Sequence, residues 1–190
     1  MSAIFLKSAF SLKDIPRTNR PQIATVGRSN VGKSSLINHL THTKGLARVG
    51  KKPGLTQSMN LYDVDERYYL IDLPGYGYAR TSKKGNRDLE AMIENLLSDS
   101  ELLKLVLLII DSRHGFTKSD QHVFEQLQEM KLPFVVVFNK VDKLSNSART
   151  LALKNIRNEH PDVTFIPHSI NDTKGLGDLQ AAINQTIRDN

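Results

Sequence analysis

The chain has no cysteine and no tryptophan in 190 residues, and aromatic side chains make up only 6% of it. Without thiols there are no disulfides and no thiolate metal sites, which points to a reduced, cytoplasmic setting. Long hydrophobic runs are missing as well. Leu105-Val106-Leu107-Leu108-Ile109-Ile110 falls far short of the roughly 20 apolar residues of a membrane-spanning helix, and Ala3-Ile4-Phe5-Leu6 is too short for a signal-peptide core. The expectation is no membrane span and no export signal. His39, His42, His114, His122, His160 and His168 show no metal-ligand spacing with carboxylates, so no transition-metal site is expected. The sequence contains neither internal repeats nor low-complexity segments.

What is present is ordinary for a globular chain: 39% hydrophobic and 24% charged residues, at the length of one domain that buries roughly 70% of its unfolded surface. The formal charge of +6 is concentrated. Residues 39–62 carry Lys44, Arg48, Lys51 and Lys52 without an acid, and residues 73–87 carry Arg80, Lys83, Lys84 and Arg87 without an acid. The remainder holds 18 basic against 20 acidic residues, so attraction to a polyanion traces to these two segments.

Apolar β-branched runs alternate with stretches of helical periodicity, the rhythm of an α/β sheet with crossover helices. The patterning predicts six strands, at 22–27, 58–64, 67–72, 103–111, 133–139 and 163–167, and five helices, at 33–41, 86–98, 117–130, 145–158 and 175–188. Only Asp65 and Glu66 separate the second strand from the third, so these two form a hairpin and the sheet is mixed, with one antiparallel strand. Phe116, Val123, Phe124, Leu127 and Met130 recur at helical spacing and face the core. Residues 1–21 lack a clear period and are expected to be an arm along the sheet edge or partly mobile.

Ile23-Ala24-Thr25-Val26 runs into Gly27-Arg28-Ser29-Asn30-Val31-Gly32-Lys33-Ser34, a match to G-x-x-x-x-G-K-[ST] between a strand and a helix. Gly27 and Gly32 let backbone amides curl around phosphate, Lys33 brings a point charge to the β- and γ-phosphates, and the Ser34 hydroxyl can ligate Mg²⁺. Asp72-Leu73-Pro74-Gly75 ends the strand 67–72, where a carboxylate can hold Mg²⁺ through water and the Gly75 amide can turn toward a γ-phosphate. Asn139-Lys140-Val141-Asp142 ends the apolar run Phe134-Val135-Val136-Val137-Phe138 and selects the base. Asp142 can accept from N1 and the exocyclic amine of guanine, a pattern adenine does not offer, while the Lys140 stem covers the ring face. This opposes an ATP-using enzyme.

In that order the three motifs resemble the translation-factor-like P-loop GTPases. They are most similar to one branch, the EngB ribosome-biogenesis GTPases of the TrmE-Era-EngA-EngB-Septin-like class. The resemblance rests on Gly27 to Ser34 continued by Ser35-Leu36-Ile37-Asn38, on Pro53-Gly54-Leu55-Thr56-Gln57, on Asp72-Leu73-Pro74-Gly75-Tyr76-Gly77-Tyr78-Ala79 and on Asp111-Ser112-Arg113-His114, and it spans nearly the whole chain. It implies a three-layer P-loop NTPase fold, with residues 1–21 as an arm before a single GTP-binding domain at 22–190. It implies nucleotide contacts from Gly27, Arg28, Ser29, Asn30, Val31, Gly32, Lys33, Ser34 and Ser35, from Gly54, Leu55, Thr56, Gln57 and Ser58, from Asp72, Leu73, Pro74 and Gly75, and from Asn139, Lys140, Val141 and Asp142. Lys33, Thr56 and Gly75 would serve hydrolysis, with Thr56 joining Ser34, and Asp72 through water, on Mg²⁺. His168-Ser169-Ile170, after strand 163–167, takes the place of a Ser-containing guanine loop. The chain departs from the family at Leu55, where Arg is usual, and at this last motif.

Ras-like proteins orient the attacking water with a Gln just after the D-x-x-G glycine, where this chain has Tyr76. Intrinsic GTP hydrolysis is therefore expected to be slow, with K⁺ near Asn30 as one candidate activator. The basic segments 39–62 and 73–87 contain switch I and switch II, so GTP would gate docking onto the RNA and proteins of a large ribosomal subunit precursor. Tyr76 and Tyr78 lie between these charges, placed to stack on a base or enter a protein crevice. Asp111 and Arg113 are expected to form a strand-end hydrogen-bond network rather than a prop for switch II. A second reading is a GTP-dependent switch acting on protein partners of cell division and septation, which would need an apolar or acidic docking patch. The ending Ile187-Arg188-Asp189-Asn190 offers no cysteine to lipidate, and a monomer is expected.

Overall fold

A computed structural model of the protein describes residues 2–16, 18–48, 58–77 and 102–188. In chain order the elements are β1 (Ala3–Ala9), β2 (Gln22–Gly27), α1 (Lys33–Leu40), β3 (Met59–Val64), β4 (Tyr68–Asp72), β5 (Leu103–Asp111), α2 (Lys118–Glu129), β6 (Phe134–Asn139), α3 (Asn146–Glu159), β7 (Phe165–His168) and α4 (Thr173–Arg188). The strands form one sheet in the order β1-β3-β4-β2-β5-β6-β7. β3 runs antiparallel to both of its neighbours, while β4, β2, β5, β6 and β7 pair in parallel. The hairpin at Asp65-Glu66 puts both residues at positive φ, 52° and 54°, which suits the right-handed twist of the two strands it joins.

The sheet has seven strands rather than the six expected. The addition is β1, formed by residues 3–9 of the N-terminal arm and paired with β3 from Ala3 opposite Val64 to Ala9 opposite Met59, with an irregularity between Phe5 and Lys7. Only Ala3 and Ala9 are buried in it. An edge strand exposed on both faces carries no apolar–polar alternation, so periodicity gave no signal for it. The expected helix at 86–98 lies outside the described residues. The other elements sit within two residues of their expected bounds, at the usual uncertainty of element ends.

The central strands are buried along their whole length, which is why they read as unbroken apolar runs. Successive residues of β5 alternate between two cores. Leu105, Leu107 and Ile109 pack with Leu36, Ile37 and Leu40 of α1 and Leu176, Leu179 and Ile183 of α4. Val106, Leu108 and Ile110 pack with Val123, Phe124 and Leu127 of α2, with Ile156 of α3 below them. The result is a three-layer domain, with α1 and α4 on one face of the sheet and α2 and α3 on the other. Thr117 and Asp120 close a reciprocal capping box on α2, and the Ser145 hydroxyl caps α3. No side chain caps α1, whose N-cap is Gly32. The carboxyl ends of β2, β4, β5, β6 and β7 lie at one rim of the sheet, where open α/β sheets bind ligands.

Candidate nucleotide-binding site

The loop from Gly27 to Gly32 leaves β2 and turns directly into α1. Asn30 and Gly32 hold positive φ, 67° and 102°, so successive amides point to the inside of the turn. A Cβ on Gly32 would stand 2.5 Å from Asn139 Nδ2, so glycine is also required by the approach of β6. Lys33 Nζ donates to the Gly27 carbonyl at 3.2 Å. Desolvation pushes the pKa of Lys33 down, with the nearby Asp72 carboxylate opposing the shift. Burial pushes Asp72 up, against Lys33 and a 3.0 Å hydrogen bond from the Thr25 hydroxyl. Two partly compensated charges at the mouth of an uncapped helix suit a polyanion accompanied by a cation.

Gly75 and Tyr76 lie directly against this loop. The Ser29 amide donates to the Tyr76 carbonyl at 3.0 Å, and the Ser29 hydroxyl donates to the Gly75 carbonyl at 3.2 Å. A Cβ on Gly75 would meet Lys33 Nζ and the Ser29 backbone at 2.9 Å. The Tyr76 side chain turns the other way. It is 7% exposed, packs in the core under α2 and donates its hydroxyl to Asp120 Oδ1 at 2.8 Å. It is therefore not displayed between the basic segments for stacking, as its neighbours in sequence suggested. Burial and the Asp120 carboxylate push its phenol far above the ordinary value. Tyr78, Arg80, Lys83, Lys84 and Arg87 lie outside the described residues, as do Lys51, Lys52, Gly54, Leu55, Thr56 and Gln57. Ser58 is buried at the start of β3.

At the end of β6, Asn139 Nδ2 donates to the Val31 carbonyl at 2.9 Å and ties the phosphate-type loop to the third motif. Lys140, at φ 62°, reaches back across the same loop, with Nζ 2.7 Å from the Asn30 carbonyl and 2.8 Å from Asp111 Oδ2. Asp111 also takes two side-chain hydrogen bonds from Arg113, at 2.9 and 2.7 Å. Desolvation alone would raise its pKa, but the bonds from Arg113 and Lys140 hold it far below the usual carboxylate range. Asp111 thus anchors the Lys140 ammonium at the end of β5, a role its strand-end position did not reveal. Val141 is buried and Asp142 is exposed at the rim, where a hydrogen bond from the Ser169 hydroxyl lowers the pKa of its carboxyl. Lys143 forms an ion pair with Asp142 at 3.2 Å.

The end of β7 and the turn after it divide the three residues His168, Ser169 and Ile170. Ser169 serves Asp142, Ile170 is 57% exposed, and His168 is fully buried, with its ring turned into the fold. His168 Nδ1 lies 2.9 Å from Asn139 Oδ1 and its Nε2 lies 3.0 Å from His39 Nδ1 on α1. Sequence reasoning weighed His39 only as a metal ligand, and no pattern signals a lateral contact between two histidines so far apart in the chain. Among the described residues no three His, Cys, Asp or Glu side chains gather as a metal site. The Ser34 hydroxyl and the buried Asp72 carboxylate fit Mg²⁺ as minor donors beside phosphate oxygens and water, the usual manner for that ion, rather than as a cage. No helix among the described residues is long and apolar enough to cross a membrane.

Residues 22–140 match the family described as 50S ribosome-binding GTPase. The chain is 40% identical over 186 residues to "Probable GTP-binding protein EngB" of Limosilactobacillus reuteri, covering 96% of this chain and 95% of that protein. It is 40% identical over 188 residues to a protein of the same description from Solibacter usitatus, covering 99% and 97%. A crystal structure of a probable GTP-binding protein engB superposes with a TM-score of 0.72 at 25% identity, over 89% of this chain and 100% of that one. Aquifex aeolicus Era bound to GDP·AlF4⁻ shares the fold, with a TM-score of 0.65 at 24% identity over 88% of this chain and 56% of its own. With its P-loop closed by Asn139 and facing Asp72, and with these matches over nearly its whole length, the chain belongs to the EngB family of GTP-binding proteins, within the P-loop GTPases.

Proposed function

We propose that the protein is a GTPase whose nucleotide state gates its docking on a large ribosomal subunit precursor. The observation that carries this reading is the match of residues 22–140 to 50S ribosome-binding GTPases. The acid-free basic segments 39–62 and 73–87 support it, and of these charges Lys44 and Arg48 are exposed. In this reading the amides from Gly27 to Ser34 hold the phosphates, with Arg28, Ser29, Asn30 and Val31 shaping the loop and Ser35 continuing the helix. Lys33 exchanges the Gly27 carbonyl for phosphate oxygens, which restores its normal basicity. The Gly75 amide faces the γ-phosphate, with Leu73 and Pro74 holding its approach. Asp142, aligned by Ser169, accepts from the guanine N1 and exocyclic amine, and Lys140 covers the ring.

Ser34, Thr56 and, through water, Asp72 would hold Mg²⁺, which supplies charge neutralisation at the β- and γ-phosphates. The Tyr76 phenol is committed to Asp120 and does not orient the attacking water, so intrinsic hydrolysis is slow. K⁺ near Asn30 is the candidate activator, and equal hydrolysis rates in KCl and NaCl, with and without ribosomal subunits, would exclude it.

The second reading, a switch acting on protein partners of cell division, gains one observation. Ile4, Phe5, Leu6 and Phe10 are exposed on and just beyond the edge strand β1, apolar side chains of the kind that reading requires. Co-sedimentation with large ribosomal subunits, in GDP and in a non-hydrolysable GTP analogue across a salt series, separates the two. GTP-dependent binding that weakens steeply with salt supports the ribosomal reading. Absence of binding in both states, with guanine nucleotide still bound, supports the second.

A further inference from the structure

Three polar side chains connect the last turn of α1 to the loop that precedes its first turn, and their protonation is fixed by geometry. Asn139 Nδ2 donates to the Val31 carbonyl, so Asn139 presents Oδ1, a pure acceptor, to His168. His168 Nδ1 must therefore carry a proton. His168 is buried, and burial, with His39 beside it, pulls its pKa down to about 4, so the ring is neutral at pH 7 and its Nε2 is an acceptor. Nε2 faces His39 Nδ1 at 3.0 Å, which makes His39 the donor. The chain of bonds reads His39 Nδ1–H to His168 Nε2, His168 Nδ1–H to Asn139 Oδ1, Asn139 Nδ2–H to the Val31 carbonyl.

We propose that His39 is a positioning residue for guanine-nucleotide binding, acting by fixing the ring of His168, which in turn holds Asn139 against the P-loop. The inference rests on the reading of Asn139 and Asp142 as the guanine site. Without a donor at position 39, the buried Nε2 acceptor of His168 is left unpaired, and the ring is no longer held square to Asn139. Asn139 loses its bond to His168 and its grip on Val31 loosens. The charged and titratable groups around the pair are His42 at the end of α1, Asp142 after β6 and Asp172 after β7. Asp142 and Asp172 favour a proton on His168, while burial and His39 oppose it. His42 opposes a proton on His39 and is itself met by Gln180 of α4.

The test uses the full chain labelled with ¹⁵N, read by long-range histidine correlation spectra, together with GDP titrations of His39→Leu, His39→Asn, Asp142→Ala and the unsubstituted protein. Asn places its side-chain amide nitrogen where the His Nδ1 sits, so it keeps the donor that Leu lacks. The expected result is His168 as the Nδ1–H tautomer throughout, with the Nδ1–H resonance of the unsubstituted protein kept in His39→Asn and displaced in His39→Leu as its bond to Asn139 weakens. GDP affinity should fall about three- to tenfold in His39→Leu, the loss of roughly one hydrogen bond, and return in His39→Asn. An Nε2–H tautomer in the unsubstituted protein overturns the proposal whatever the titrations give. Unchanged GDP affinity in His39→Leu, with Asp142→Ala strongly weakened, overturns it while leaving the guanine site in place. Unchanged affinity in Asp142→Ala instead removes the guanine-site reading on which the proposal stands.

Discussion

Tyr76→Phe deletes one oxygen from a buried pair and leaves the ring in its place, which makes it a direct probe of how the second motif is held. The phenol donates to a carboxylate that is 1% exposed, and the other oxygen of Asp120 is already engaged by the Thr117 amide at 3.0 Å and hydroxyl at 2.7 Å. A hydrogen bond to a buried charged acceptor contributes about 1.5–3 kcal/mol. The substitution should lower the unfolding free energy by about that amount in urea titrations, with an unchanged denaturant slope. Asp120→Asn should add less than its own effect on the Tyr76→Phe background, because both remove the same bond. Alkali supplies an independent check. Tyr62, Tyr68 and Tyr76 are all pushed above the usual phenol value, chiefly by burial, so the native state keeps protons that the unfolded chain releases from about pH 10. Stability is therefore fully present below that pH and declines above it. Tyr76→Phe should make the decline shallower by one proton's worth, about 1.4 kcal/mol per pH unit. If Tyr76→Phe stays within about 0.5 kcal/mol of the unsubstituted protein, the size of a neutral surface change, the tether to Asp120 does not hold the motif.

Three further outcomes follow from the same geometry. His168 has its pKa lowered to about 4, so its contribution to stability is complete above about pH 6.5 and is lost as pH falls toward 4; His168→Asn should unfold with a weaker acid dependence over that interval by circular dichroism. Gly75→Ala places a methyl group against Lys33 Nζ and the Ser29 backbone, and calorimetry should show GTP-analogue affinity falling at least about tenfold while GDP affinity changes less. Asp142→Asn replaces a carboxylate acceptor with an amide, and competition binding should show guanine nucleotides weakened by about 10²-fold or more, with xanthine nucleotides favoured in their place.

The strands, the P-loop and the motifs at Asp72 and Asn139 were legible in the sequence because each is a local pattern. Apolar runs mark strands buried on both faces, and fixed spacings mark a loop that must close on phosphate. What the sequence concealed was lateral. Nothing near Tyr76 says that its side chain points to α2 rather than outward, since the acceptor Asp120 lies on another layer. The pairing of His39 with His168, and the anchoring of Lys140 by Asp111, depend on which strand ends meet at the rim. β1 was legible as an arm along the sheet edge but not as a strand, for the opposite reason. Its residues Ile4, Phe5 and Leu6 are apolar without being buried, so the usual link between hydrophobicity and the core fails there.

That edge strand also imposes an order in time. Ala9 pairs with Met59 and Ala3 with Val64, and β3 must itself wait for β4 to turn back along it. At about 5–20 residues per second, the ribosome delivers the partner of β1 several seconds after β1 has emerged. During that interval Ile4, Phe5 and Leu6 belong to no sheet, and they remain accessible to any chaperone that scans nascent chains. An edge strand of the finished protein is thus made well before its partner and completed only after its hairpin neighbour exists, which makes β1 the place where synthesis speed most directly touches folding.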